Sequence, residues 1–150
     1  MHQTTVLPPA PRIRVTALGL MKRPDGRLLV ERGIDTAKGE AFYRALGGGV
    51  EFGESASEAV QREFMEELGL PVTVGKLRRV IENIFTYEGR EGHEIVFVYD
   101  VAPQDSGFYA VDKPSRVDIA ADTVCWRFID EIMQENCPLY PRGFGELAQD

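Results

Sequence analysis

The apolar positions of this chain change period along its length, and the changes mark its elements. Residues 12–21, "RIRVTALGLM", are apolar with partial alternation, as in a strand. The next six, "KRPDGR", carry Pro24, Asp25 and Gly26, which suit a turn. "LLVERG" (28–33) then predicts the returning strand of a hairpin. A polar loop is expected over 34–40 and a short strand over "AFYRAL" (41–46). Residues 72–87 are rich in β-branched and apolar types and predict one long strand, bent or interrupted. After a turn at 88–92, "HEIVFVYDV" (93–101) is the clearest strand in the sequence. Residues 102–121 read as a polar loop, 123–129 as a last strand and 130–136 as a short helix. The end of the chain predicts a turn and one more short helix. Residues 1–12, with little pattern and three prolines, are expected to form an extended tail before a single domain over 13–150.

The period becomes helical at 55–69, "SASEAVQREFMEELG". Ser55 and Glu58 have capping-box spacing, Gly69 stands where a helix closes, and Pro71 blocks continuation. At 100° per residue, Ala56, Val60, Phe64 and Leu68 form one buried stripe. Glu63, Glu66 and Glu67 fall on the adjacent strip, at i+3 and i+4. Like charges so placed repel. A hard divalent ion, Mg²⁺ or Mn²⁺, removes the conflict, because carboxylate oxygens are its preferred ligands. Gly47, Gly48 and Gly49 precede the helix, and Ala56 and Ala59 leave room for that backbone to pack close. A glycine carbonyl could then join the ligand set. A charge run alone also suits an ordinary solvated helix face. The three glycines, Glu54 and Arg62 beside the acids are what that plainer reading leaves without a purpose.

Composition narrows the class. Hydrophobic content of 43% and charged content of 27% describe an ordinary globular chain, and mixed strands around a central helix predict an α/β fold. The net charge of −7, from 24 acids and 17 bases, disfavours bulk binding of nucleic acid. No apolar run approaches membrane-spanning length and no export signal is evident, so a cytoplasmic location is expected. Cys125 and Cys137 lack zinc-motif spacing and are expected to be reduced thiols.

The stretch 48–70 resembles the Nudix box. Gly48 is followed after five residues by Glu54, and after seven more by Arg62-Glu63-Phe64, Met65, Glu66-Glu67, Leu68 and Gly69-Leu70. Phe64 stands where an aliphatic residue is usual, and Gly47 where the family often has proline. The resemblance implies an α/β/α sandwich around a mixed sheet over residues 12–140. It implies hydrolysis of a nucleoside diphosphate linked to another moiety, with Mg²⁺ or Mn²⁺ as cofactor. Homodimers are frequent in the family. By position, Glu63, Glu66 and Glu67 resemble its metal-binding glutamates, with Glu63 and Glu67 nearest the ions. Gly48 matches the carbonyl that completes the coordination, and Glu54 and Arg62 the supporting pair. A member without activity, which only binds or senses a nucleotide, is the alternative.

The proton acceptor stays open between Glu63 and an acid outside the box. The usual loop position for such an acid holds Ala120, with Asp118 and Asp122 two residues to either side, and Glu94 opens a strand that could face the site. Phe42, Tyr43, Phe85 and Tyr87 could stack on a base, and Arg44 could meet a phosphate. Tyr87 follows Leu70 at a spacing that resembles dinucleoside polyphosphate hydrolases.

Overall fold

The computed structural model describes residues 11–149, so the tail expected over 1–12 lies almost wholly outside the described residues. Among the described residues, eight strands and three α-helices follow in the order β1 (Arg14–Leu20), β2 (Leu28–Asp35), β3 (Glu40–Arg44), β4 (Leu46–Gly49), α1 (Ala56–Leu68), β5 (Val72–Tyr87), β6 (Arg90–Pro103), β7 (Val124–Arg127), α2 (Ile129–Gln134), β8 (Leu139–Tyr140) and α3 (Phe144–Gln149), with a short 3-10 helix at Ser106–Ala110 between β6 and β7. They build two four-stranded sheets, ordered β4-β1-β6-β5 and β7-β2-β3-β8. Each is mixed, since β1 runs parallel to β6 and β3 parallel to β8 while the other pairs are antiparallel.

Alternation along the strands sends side chains into two cores. Leu29, Phe97 and Tyr99 face the core that holds α1, whereas Leu28, Val30, Val96 and Val98 face the core that holds α2 and α3. Strands buried on both faces, with helices on opposite sides, give the α/β/α layering expected from the sequence.

The expected β1–β2 hairpin does not form as a ladder. The turn at Pro24–Gly26 is present, but the pairing around it stops at the bridge Lys22–Leu28 and the bonds from Arg23 N to Arg27 O (2.7 Å) and Leu29 N to Met21 O (3.0 Å). The reason is that a strand has two edges, and β1 gives one to β4 and the other to β6. The run 41–46 is likewise two strands. Arg44 pairs with Glu31 in one sheet, Leu46 with Gly19 in the other, and the chain crosses between them at Ala45. The turn expected over 88–92 shrinks to Glu88–Gly89, with φ of 52° and 74°, the tight form that matches strand twist. β5 is one long strand, irregular between Val74 and Arg79.

Helix α1 carries the site, and its ends are well fixed. The Ser55 hydroxyl accepts from Glu58 N at 3.2 Å, and Gly69 closes the helix in the left-handed region at φ 62°. Val60, Phe64 and Leu68 are buried as the stripe predicts, and Ala59 is fully buried beside them. The aromatic ring of Phe64 is admitted by a missing side chain opposite. A Cβ on Gly19 would lie 2.7 Å from the ring of Phe64 and 2.8 Å from Val101. Gly19→Ala should therefore overpack this core and cost roughly 1–3 kcal/mol. Phe64→Leu in the Gly19→Ala background should recover part of that loss, which urea titration of the two single variants and the double variant measures; strictly additive costs would refute the pairing.

Candidate active site

Arg62 stands on the solvent-ward side of α1, and all five of its N–H groups are used. Nε donates to Glu54 Oε2 at 2.8 Å and Nη2 to Glu54 Oε1 at 3.0 Å. The second Nη2 proton goes to the Gly49 carbonyl at 2.8 Å. Nη1 donates to Glu63 Oε1 at 2.9 Å and Glu66 Oε2 at 3.2 Å. One planar cation thus ties the helix to the glycine strand and to the acid before the helix. The Arg62 guanidinium holds the Glu54 carboxyl below its usual range, and Glu54 in turn raises Arg62 further.

The glycines are not a mobile loop. They form β4, paired with β1, and Gly47 adopts φ 145° with the space of its absent Cβ taken by the Ala17 carbonyl. A Cβ on Gly48 would lie 2.5 Å from the carboxyl carbon of Glu63. Bare backbone is what lets Glu63 lie against this strand.

Of the three box acids, Glu66 is exposed, Glu63 is mostly covered and Glu67 is buried. Burial pushes the Glu67 carboxyl up to about 8; Arg116, 4.0 Å away, opposes this and the charge of Glu63 adds to it. Among the described residues, no three histidine, cysteine, aspartate or glutamate side chains are gathered as a ready cation site. Arg62 accounts for this, because it draws Glu63 and Glu66 toward itself while Glu67 lies deeper.

Beside these acids a cavity of about 550 Å³ opens between the two sheets. Gly47 and Gly48 belong to its wall, with Arg14, Thr16 and Glu94 from one sheet and Glu31, Phe42 and Arg44 from the other. At one end the β2–β3 and β5–β6 turns are joined, Thr36 to the Glu88 carboxylate and Lys38 Nζ to the Thr86 carbonyl at 2.7 Å.

The residues proposed from sequence separate on this map. Glu94 lines the cavity half-buried, with Arg14 at 3.8 Å as its ion-pair neighbour, and burial raises its proton affinity while Arg14 and Arg44 oppose. Asp118 is exposed and its two oxygens are held by Arg116 at 2.9 and 2.6 Å, which lowers its proton affinity. Asp122 is exposed and does not line the cavity. Phe85 and Tyr87 line it, and Tyr87 meets Phe42 edge-on at 5.8 Å. Tyr43 does not. It is 1% exposed in the α2–α3 core and donates its hydroxyl to Glu135 at 2.6 Å, because alternation along β3 turns Phe42 inward and its neighbour away. Sequence reasoning missed Glu31 and Arg116. A single acid inside the apolar run "LLVERG" was the available signal for the first; the second lies in a loop without pattern.

A family model described as NUDIX domain matches residues 11–137. The chain belongs to the Nudix family. Among solved structures it resembles a MutT NUDIX hydrolase from Burkholderia pseudomallei at 27% identity and TM-score 0.58, over 79% of this chain and 85% of that one. It shares its fold with a NUDIX hydrolase from Nitrosomonas europaea, at 20% identity and TM-score 0.61, over 92% and 87% of the two chains. It also shares it with a UDP-X diphosphatase, at 20% identity and TM-score 0.56, over 97% and 64%.

The state of Glu67 gives this Nudix chain a pH signature. Its folded value of about 8 lies above the ordinary 4.5, so folding favours the protonated form. The unfolded chain ionises first as pH rises, and stability falls between about 4.5 and 8. Urea titration in EDTA should show wild type losing stability from pH 5 to 8 relative to Glu67→Gln; parallel profiles would place the raised carboxyl elsewhere.

Proposed function

We propose that this Nudix hydrolase cleaves a phosphoanhydride bond in a nucleoside diphosphate linked to another moiety, with Mg²⁺ or Mn²⁺ as cofactor. The carrying observation is the Arg62 junction, which lays Glu63 against the Gly48 backbone next to buried Glu67, at the wall of a cavity large enough for a nucleotide. Membership of the family supports a hydrolase of pyrophosphate bonds, and divalent cations are a general requirement of that family.

The residues present fit such an ion. The donors are hard oxygens only, and Glu67 is a buried acid whose ionisation a nearby cation would favour. Glu63, Glu67 and the Gly48 carbonyl would hold it, with Glu66 on the outer side. When bound, the ion supplies Lewis acidity toward a phosphoryl oxygen and lowers the pKa of bound water. Arg62 and Glu54 act through the other acids by keeping their carboxylates in place.

Glu94 is the proton acceptor in this reading. It lines the cavity, accepts no hydrogen bond among the described residues, and its proton affinity is raised by burial. A base with those properties works closer to neutral pH than an ordinary carboxylate. Asp118, which accepts two hydrogen bonds from Arg116, and Asp122, which does not line the cavity, have no part as the base in this reading. The aromatics Phe42, Phe85 and Tyr87 that line the cavity suit a planar base. The net charge of −7 favours a free nucleotide over a nucleic acid. A cytoplasmic location and a homodimer, frequent in the family, are part of the same proposal.

Two variants separate the roles. Glu67→Gln should abolish both hydrolysis across a panel of nucleoside triphosphates, ADP-ribose, nucleotide sugars and dinucleoside polyphosphates and the rise in melting temperature on adding Mg²⁺ or Mn²⁺. Glu94→Gln should lower kcat by roughly 10²- to 10⁴-fold and keep the metal-induced rise. Unchanged kcat in Glu94→Gln would return the base to Glu63.

A further inference from the structure

Glu31 has no part in the chemistry above, yet it is the most heavily bonded acid facing the cavity. It lies in β2 with 6% of its surface exposed. A carboxylate this deep is costly unless it is paired and hydrogen-bonded. Here Arg44 donates to Oε1 through Nε at 3.2 Å and Nη2 at 2.7 Å. Arg116 donates from Nη1 to both oxygens at 3.1 and 2.9 Å, and the Thr123 hydroxyl donates to Oε2 at 2.8 Å. Burial pushes Glu31 upward, and the bonds from Arg116 and Arg44 outweigh it and keep the acid ionised.

The two arginines are not equivalent. The Arg116 side chain is 11% exposed, and its Nε and Nη2 are committed to Asp118. The Arg44 side chain is 51% exposed along the cavity. Both of its bonds run from the Nε–Nη2 edge, and Nη1 has no partner among the described residues. A cation with an open donor edge therefore shares the cavity wall with Glu94 and with Gly48, the backbone against which Glu63 lies.

We infer that Arg44 binds a phosphate of the substrate's diphosphate and that Glu31 is the positioning residue that aims it. The inference rests on the phosphoanhydride reading of the same site. An arginine half-exposed on a strand would otherwise lose rotamer freedom on binding. Glu31, itself fixed by Arg116 and Thr123, takes up one edge of the guanidinium and leaves the other for two parallel bonds to phosphate.

Two measurements test this on the full chain. One is steady-state hydrolysis with Mg²⁺ of whichever of dinucleoside polyphosphates, nucleoside triphosphates, nucleotide sugars and ADP-ribose wild type cleaves; the other is calorimetric binding of inorganic pyrophosphate in EDTA. Arg44→Ala should raise KM roughly ten- to a hundredfold, more than it lowers kcat, and weaken pyrophosphate binding to match. Arg44→Lys should recover part of both losses. Glu31→Gln should act in the same direction, and the double variant should be no worse than Arg44→Ala. Thr123→Val, which removes one bond to Glu31, should give a smaller rise and carries the test if Glu31→Gln fails to fold. The inference is overturned if wild type binds no pyrophosphate in EDTA, if Arg44→Ala leaves KM and pyrophosphate affinity unchanged, or if the Glu31 and Arg44 effects multiply. Arg44-dependent pyrophosphate binding without wild-type turnover of any substrate in that set would support it and remove the hydrolase reading alone.

Discussion

The bidentate pair between Arg62 and Glu54 is the constraint on which the site depends. It fixes the plane of the guanidinium, and the other three N–H groups then have set directions. One reaches the Gly49 carbonyl and two reach Glu63 and Glu66. Lysine, a point charge with three donors, could not make this set. The fork is itself only as rigid as α1, and α1 is held by its Ser55 cap, its Gly69 closure and the burial of Val60, Phe64 and Leu68. Core packing, helix capping and the placing of the acids are one chain of cause.

The second organising feature is the crossing at Ala45. Because β3 ends in one sheet and β4 begins in the other, Arg44 and Gly47–Gly49 lie side by side at the junction of the two sheets. The cavity opens between those sheets, and at the crossing Gly47 and Gly48, the latter packed against Glu63, form part of its wall. A hairpin of β1 with β2 would have joined the sheets edge to edge and removed that opening. Occupation of both edges of β1 prevents it.

Function is set against stability at two buried acids. Glu67 is buried near Glu63, and Arg116 at 4.0 Å only partly offsets that burial, so its charged form is disfavoured until a further positive charge arrives. Glu31 is buried with two arginines and a hydroxyl, so its charged form is kept. The contrast assigns them different work. The first is poised to respond to a ligand, whereas the second holds other groups still.

The sequence by itself determined the helix, its caps, its buried stripe and the strip of three acids, because a helix relates residues three and four apart and those relations can be counted along the chain. It also determined which positions are glycine, and therefore where backbone could approach Glu63. The long strands were legible for the same local reason. The tertiary structure decided the rest. Strand partners depend on which edges remain free, so β1 and β2 were separated. Orientation depends on the face a strand turns to the cavity, so Phe42 lines it and Tyr43 does not. Glu31, Arg44 and Arg116 stand far apart in sequence and meet only through sheet pairing and a loop folded back over the helix end, where Val117 N bonds the Glu67 carbonyl at 2.8 Å. No local period encodes a contact of that kind, since it exists only once non-local pairings have closed.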